Sequence, residues 1–595
     1  MERWRVNWRT TMYARKAATL ALRSLLNCVA REYAELCAWG HDAAKQKLTL
    51  NFPVNGGSLR VPVLYRSATG HHLFGEPLVL SDGAGTNTVS PESAIDIIIQ
   101  RIEATASNDG RKDLQARAHS SRLLVEAALQ ARENDLATLV GEKVSFIEAE
   151  QGLIAGHGIH PCPKSREGMT EEEGKRYSPE FAASFPLRWF AVSREVYHTG
   201  HSEGSPAAEQ WLDAVESESL DTLRNGLPDS DFAFLPVHPW QADVMLKQAD
   251  VASLVAAGKI VDCGEVGKPW FPTSSVRTLY RPDAPFMLKL SLGIGITNSV
   301  RINLARELLR GDDMYRFRAS HLWHNLEQQY VGLNLMPDPA YIGVAVNGNV
   351  IDGLSLTMRE NPFYGPDADR NVTLLASLCE HLPERGSRLG ALIRRQADIE
   401  GRSVDAVAAD WFSRFLTVLM TPVFALYLRH GIAMEAHQQN ILIELADGYP
   451  VAAFYRDNQG FFHHERGHPA LSKAIPGIGI RSESVFGEEP VDERILYYAF
   501  INSILGMIGA LGREGLIAEE VLISQLRAAL IKLNAEEGGQ SHLVEKVLAP
   551  VLRCKANLKT RLAQMDELVG PLETQSVYLQ IDNPLFQSAR AQAHG

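Results

Sequence analysis

Two spacings of apolar residues organise the chain: a three-to-four-residue recurrence that buries one stripe of a helix, and an alternation that buries one face of a strand. Residues 12–36 follow the first, with Leu22, Leu25, Leu26, Val29, Tyr33 and Leu36 on one side, and residues 59–80 follow the second. Helical spacing returns over 94–102 and 121–139, so the beginning of the chain reads as a mixed α/β region. From 185 to about 302 the pattern is rich in strands, and a Gly-, Ser- and Pro-containing stretch at 199–207 reads as a surface loop. A helix is expected over 411–429, where Phe412, Phe415, Leu416, Leu419, Val423 and Leu426 form the buried stripe; His430-Gly431 ends it and Pro422 is expected to kink it. Two strands follow, 441–445 and 451–455, joined by the Asp447-Gly448 turn. From 494 onward the pattern is almost wholly helical, over 495–511, 518–533 and 543–562. The whole divides into segments 1–185, 186–400 and 401–595, an α+β organisation without internal repeats.

Composition narrows the class. The 595 residues are 45% hydrophobic and 22% charged, enough for a large core, and 59 basic against 71 acidic side chains give a net charge of −12. That sign repels polyphosphate backbones, so a small substrate is expected and a nucleic acid is not. Residues 1–15 are basic but lack the apolar run of an export signal, and no stretch is expected to span a bilayer, which needs roughly 20 apolar residues. Cys28, Cys37, Cys162, Cys263, Cys379 and Cys554 are scattered, as expected of reduced, mostly buried thiols in a cytoplasmic protein.

Polar clusters then point to chemistry. Glu435-Ala436-His437-Gln438-Gln439-Asn440 lies between the 411–429 helix and the hairpin that ends at Arg456-Asp457. An amide leaving a loop and a carboxylate ending the next hairpin arm can hold a hard divalent cation on a nucleotide; the same residues could instead cap backbone groups. Gly156 to Pro161, with His157, His160, Lys164 and Arg166, reads either as an anion-binding loop or as a basic surface turn, and His238-Pro239-Trp240-Gln241 reads as structural. In the hairpin at 274–292, Ser274, Ser275, Arg277 and Thr278 precede an alternating strand that carries Lys289, an arrangement suited to nucleotide phosphates. Just beyond, Thr297 to Arg301 offers a second guanidinium whose fork could clamp a carboxylate.

These motifs, together with Arg359-Glu360-Asn361-Pro362 and taken in order over about residues 156–460, resemble the NRPS-independent siderophore synthetases, the IucA/IucC family. The resemblance implies a cupped hand of fingers, palm and thumb, with a kinase-like palm and a helical C-terminal thumb. On it, 1–185 is the N-terminal region, 186–400 the fingers with an ATP-binding hairpin, and 401–595 the palm loop and helical end. It implies an ATP- and Mg²⁺-dependent ligase that adenylates a carboxylate and passes the acyl group to an amine or hydroxyl, and it implies a homodimer. By carry-over, Ser275, Arg277, Thr278, Lys289, Glu435, Gln439, Asn440 and Asp457 belong to the ATP site, Asn440 and Asp457 facing the metal. His160, Arg301 and His437 are the expected catalytic groups, and Arg301, His437, Thr297, Arg494 and Tyr497 the carboxylate contacts.

Residues 25–32 resemble the opening helix of the free-citrate group, so citrate is the expected acid, with a citryl monoamide, 2-oxoglutarate or a hydroxamate-bearing succinyl unit as alternatives. A small-molecule kinase would use the same Lys289, Asn440 and Asp457 set. A silent binding protein or an iron-siderophore reductase is the remaining class, although a reductase would want clustered cysteines.

Overall fold

The computed structural model describes the chain except residues 1, 43–46, 55, 84, 103–107, 228–230, 538–541, 568–574 and 587–595; of the basic N-terminal stretch, Met1 thus lies outside the described residues. The first helix, Glu2–Glu32, begins well before the expected residue 12. Its apolar stripe, including Leu22, Leu25, Leu26 and Val29, shares a core with helix Pro91–Ile102 and with a six-stranded sheet built from residues 38–89.

The middle of the chain forms an eight-stranded sheet. In spatial order its strands are Tyr197–His201, Ala340–Val346, Asn349–Glu360, Phe286–Leu290, Thr278–Tyr280, Ile260–Pro272, Phe185–Ser193 and Phe232–Val237. The expected surface loop at 199–207 is therefore strand as far as His201, where an exposed edge strand pairs with Ala340–Val344. Polar side chains on an edge strand mimic a loop in sequence. Trp189, Trp270 and Phe286 fill the core beneath this sheet.

A four-stranded sheet follows, in the order Leu333–Met336, Tyr449–Arg456, Ile441–Ala446 and Val372–Leu374. It draws strands from both sides of residue 400. The Asp447-Gly448 turn has both residues at positive φ, 49° and 75°, as a tight hairpin turn requires. Behind it runs a helix, Val404–His430, longer than the 411–429 expected. The irregularity expected at Pro422 takes the form of a π-helical segment, Leu416–Met420, directly before it, whose wider turn accommodates the missing N–H.

The expectation that no segment is apolar enough to cross a membrane needs correction. Val404–His430 and Glu488–Arg513 both pass by length and composition, but 72% and 94% of their apolar windows are buried inside the protein. They are the central helices of the largest core. The end of the chain also departs from expectation: 543–562 is not one helix but helix His542–Leu548, strand Val551–Lys555 paired with Tyr578–Asp582, and helix Asn557–Leu562. That last helix returns to the first, whose Glu32 carboxylate accepts the backbone N–H groups of Leu558 (3.0 Å) and Lys559 (2.8 Å). The six cysteines are free thiols, four of them buried.

Candidate active site

Where the eight-stranded sheet, the four-stranded sheet and the buried helix Glu488–Arg513 converge, they enclose a cavity of about 760 Å³. All fourteen residues expected at the site line it: His160, Ser275, Arg277, Thr278, Lys289, Thr297, Arg301, Glu435, His437, Gln439, Asn440, Asp457, Arg494 and Tyr497.

The hairpin supplies the first wall. Thr278 and Lys289 are direct cross-strand partners, and Lys289 pairs on its other side with Thr357. The turn before them is held by Thr273 N–H to Thr278 O (2.9 Å), Val276 N–H to Thr273 O (2.8 Å) and Thr278 N–H to Ser275 Oγ (3.1 Å), with Val276 at φ 68°. A buried β-branched residue in that region is a strained one, kept by the surrounding bonds. Arg277 and Lys289 are buried, 5% and 4% exposed. Arg277 donates to Arg301 O (3.0 Å), Asn303 Oδ1 (3.1 Å) and Gln459 Oε1 (2.7 Å). Burial, and Arg301 nearby, push its guanidinium down to about 10.

The second wall is the loop and hairpin of the four-stranded sheet. Lys289 Nζ lies 2.9 Å from Asp457 Oδ1, and Asn440 Nδ2 donates to Asp457 Oδ2 at 3.2 Å and to Glu435 O at 3.1 Å. Asp457 sits at φ 109°, and its carbonyl accepts from the Tyr455 hydroxyl at 2.9 Å. Burial opposes its ionisation, but Lys289, Arg359 and Arg277 outweigh it and hold the carboxyl well below the usual range. Glu435 is the contrary case. Burial pushes it up to about 6, against the pull of Arg494 at 3.9 Å.

The two imidazoles are neutral. His160 Nδ1 accepts from Cys162 N–H (3.2 Å), which leaves Nε2–H to donate to Asn298 Oδ1 (3.3 Å); His437 Nδ1 accepts from Gln439 N–H (3.3 Å). Burial pushes both down to about 3, so each offers an N–H donor and no charge. Arg301 Nη2 donates to Ile296 O (3.1 Å) and Thr297 Oγ1 (3.0 Å), which fixes the plane of its fork. Tyr497 also lines the cavity, and its hydroxyl accepts from Asn557 Nδ2 at 3.0 Å, which leaves the O–H proton to donate.

Two readings of the sequence change here. Lys164 and Arg166, expected to favour an anion, are both paired with the fully buried Glu180 at 2.5 and 2.7 Å. Conversely, sequence reasoning missed Glu150, whose carboxylate meets Arg456 at 2.7 Å and accepts from Ser274 N–H at 2.9 Å. Asn303 was also missed, although its amide joins Arg277 to Lys289 O (3.0 Å) and Ser355 O (3.2 Å). Neither carries a local signal, because each matters only through distant partners. His238 is structural as read: fully buried, with Nδ1 accepting from Trp240 N–H at 3.2 Å.

No cluster of three or more His, Cys, Asp or Glu is assembled among the described residues. A ready-made transition-metal cage is therefore not what they form. Asp457 and the amide oxygen of Asn440, which accepts no hydrogen bond among the described residues, give two hard oxygen donors, and that fits Mg²⁺, which is held by one or two carboxylates together with waters and phosphate oxygens.

Known proteins resemble the chain in sequence and in fold. The IucA/IucC family model matches residues 145–380, and the model for ferric iron reductase FhuF-like transporters matches 409–570. The chain is 67% identical to the rhizobactin siderophore biosynthesis protein RhbC of Rhizobium meliloti (strain 1021), over 98% of this chain and all of that one. It is 36% identical to the spermidine-citrate ligase of Bacillus anthracis, over 88% of each. Its fold matches the ATP-bound aerobactin synthetase IucA from a hypervirulent pathotype of Klebsiella pneumoniae, with TM-score 0.86, 29% identity and coverage of 95% of this chain and 99% of that one. The fold and the relatives are those of an ATP-dependent ligase. The chain belongs to the IucA/IucC family of siderophore synthetases.

Proposed function

We propose that this cavity adenylates citrate and transfers the citryl group to an amine or hydroxyl acceptor in siderophore assembly. The observation that carries the reading is the contact chain Thr278, Lys289, Asp457, Asn440, set in a cavity that also presents Arg277, Arg301, Arg310, Arg494 and Lys555. Bringing a tricarboxylate to a nucleotide crowds anions together, and this preorganised excess of buried cations offsets that repulsion. Lys289, Arg277 and the Ser275–Thr278 turn hold the ATP phosphates. Asp457 and Asn440 hold Mg²⁺, which when bound supplies further charge neutralisation at the phosphates.

Arg301 anchors a non-reacting carboxylate of citrate through its fixed fork, with Thr297 and Arg494 beside it, while His437, and His160 on giving up Asn298, donate neutral N–H groups to developing negative charge. A citrate oxygen attacks the α-phosphorus, the bond to pyrophosphate breaks, and citryl-AMP remains. The acceptor nitrogen then attacks the acyl carbon, AMP leaves with the bonding pair, and the acceptor's proton passes to solvent. A citryl monoamide, 2-oxoglutarate or a hydroxamate-bearing succinyl unit in place of citrate would use the same groups.

We assign segment 186–400 to fingers, 401–595 to a kinase-like palm with a helical end, and 1–185 to the flanking N-terminal region, the palm sheet borrowing Leu333–Met336 and Val372–Leu374 from the fingers segment. A cytoplasmic homodimer completes the proposal. The FhuF-like match over 409–570 does not favour iron reduction, because that segment holds a single cysteine, Cys554, where an iron–sulfur centre needs several thiolates.

The test is hydroxylamine trapping across a panel of carboxylic acids, with nucleotide products identified. Citrate-dependent hydroxamate together with AMP and pyrophosphate is expected. ADP in their place would establish a kinase instead.

A further inference from the structure

His238 is satisfied on one side only. Its Nδ1 accepts the Trp240 N–H at 3.2 Å and caps the helix Pro239–Met245, a bond that puts the ring proton on Nε2. The ring is fully buried, edge-on to Tyr177 and Phe185 at centroid distances of 4.8 and 4.9 Å, and its Nε2 meets no hydrogen-bond partner among the described residues. Buried donors in folded proteins are nearly all paired, so this N–H calls for an acceptor. The last residue of the same motif is fully engaged: Gln241 accepts from Gly293 N–H at 2.7 Å and donates to Gly353 O at 3.2 Å, which pins two neighbouring stretches of chain beside the imidazole.

Next to the ring lies a second, small cavity of about 10 Å³, close to the space that one water needs. Its side chains are apolar apart from His238, Ser291 and Ser355. Both serines are buried, and both retain bonding capacity. Ser291 Oγ accepts from Asn303 N–H (3.0 Å) and lies 3.3 Å from Ser355 Oγ, which donates to Asn303 O (3.2 Å). With the Ser355 proton on Asn303 O, Ser291 gives its own proton to Ser355, and each oxygen keeps one lone pair. A water that accepts from Nε2–H and donates to those two lone pairs makes three hydrogen bonds, the usual number for a buried water. Asn303 carries the network onward to the large cavity, where its amide donates to Lys289 O (3.0 Å) and its Oδ1 accepts from Arg277 (3.1 Å).

We propose that the small cavity holds one ordered water, hydrogen-bonded to His238 Nε2 and to the Ser291–Ser355 pair, and that through this water and Asn303 His238 is a positioning residue for Arg277 and Lys289. The water stands independently of the ligase reading. The positioning role rests on the part of that reading that puts the two cations on the ATP phosphates.

A high-resolution crystal structure of the wild-type protein tests the water: a single density peak about 3 Å from Nε2 is expected, and a cavity without one overturns the site. Two substitutions test the role, because each nitrogen of the ring has its own mimic. His238→Asn keeps an acceptor near the Nδ1 position, where Asn is a good helix cap, but places nothing at Nε2; His238→Gln reaches the Nε2 position with a donor but gives up the cap. His238→Asn is expected to raise the ATP Kd about tenfold by calorimetry, the scale of one lost hydrogen bond, with the citrate KM little changed, and His238→Gln to stay within about twofold of wild type. A histidine that only caps its helix would give the reverse order, and that result, or an equal loss in both variants, overturns the positioning role. Ser291→Ala breaks the network on its far side without touching the cap, so normal ATP affinity in that variant overturns the role even if neither His238 variant folds. A wild type that binds ATP but traps no acid sinks the ligase reading and leaves the water and its role in place. If Arg277→Ala and Lys289→Ala bind ATP as the wild type does, the role falls and the water alone remains.

Discussion

Asp457 carries more of the site than any other single side chain. It neutralises Lys289, accepts from Asn440 and, through Oδ1, from Gln459 N–H at 3.2 Å, and it does so from a backbone angle that only its neighbours make tenable. Asp457→Asn keeps the shape but removes the charge that Lys289 meets and that the proposed Mg²⁺ would use. It is expected to lower the adenylation rate roughly a hundredfold, ~3 kcal/mol of transition-state stabilisation, with the fold retained; steady-state adenylation at saturating magnesium reads this, and full activity would remove Asp457 from the metal site. Lys289→Ala and Arg277→Ala are expected to weaken ATP binding by calorimetry, and more sharply than exposed cleft residues would, because both are held at one position by buried partners. On the proposed reading, Arg301 holds citrate and not ATP. Its fork is fixed by Ile296 O and Thr297 Oγ1, so Arg301→Lys is expected to raise the citrate KM and lower kcat/KM for citrate while the KM for ATP barely moves. A fall in ATP affinity with citrate unchanged would place Arg301 among the phosphates and shift the carboxylate role to Arg494.

At the scale of elements, the site is a meeting of three segments held by one carboxylate. Glu150, on the short helix Phe146–Gln151, binds Arg456 at the end of the strand Tyr449–Arg456 and Ser274 at the start of the turn before Thr278, and Arg456 in turn reaches Gln439 O at 2.9 Å. Both members of the pair are almost fully buried. Glu150→Gln strands a buried guanidinium, so a loss of about 3–5 kcal/mol in folding stability is expected, together with lower activity; an unchanged denaturation midpoint would show that the pair is not structural.

This buttress also marks how far the chain could be read from sequence alone. The hairpin 441–456, the strand with Lys289 and the helix behind them were legible because periodicity and turn residues are local. Glu150 and Asn303 were not, since their partners lie more than 300 residues away for Arg456 and across two strands for Lys289. The strand at 551–555 was read as helix because its apolar residues continue a helical spacing, and only its pairing with 578–582 decides otherwise.

At the scale of the molecule, a net charge of −12 coexists with a cavity walled by buried cations, so the sign read from composition is the opposite of the sign at the site. Composition describes the surface; burial decides the interior. The same burial governs the response to acid. His72 and His157 are pushed down to about 4, and His160, His238, His437 and His463 to about 3, in each case by desolvation first. A histidine with a depressed folded pKa contributes stability that is present above its unfolded value near 6.5 and is lost as pH falls toward the folded one. Glu32 and Glu435, pushed up by burial to about 7 and about 6, work in the opposite sense, taking up protons in the folded state over the same range and gaining stability as pH falls. Six imidazoles against two carboxyls leave the unfolded chain binding more protons. Between pH 6 and 5 the folding free energy is therefore expected to fall by a few kcal/mol, on a scale of about 1.4 kcal/mol per pH unit for each net proton. Urea midpoints measured at pH 7.5, 6 and 5 should decline steeply over the last interval. A flat profile there would mean that the buried imidazoles find compensating charge when protonated, which nothing packed against His238 or His463 supplies: Tyr177 and Phe185 face the first ring, Phe461 and His468 the second, and the charges nearest them, Arg176 for His238 and Arg310 for His463, are themselves cations.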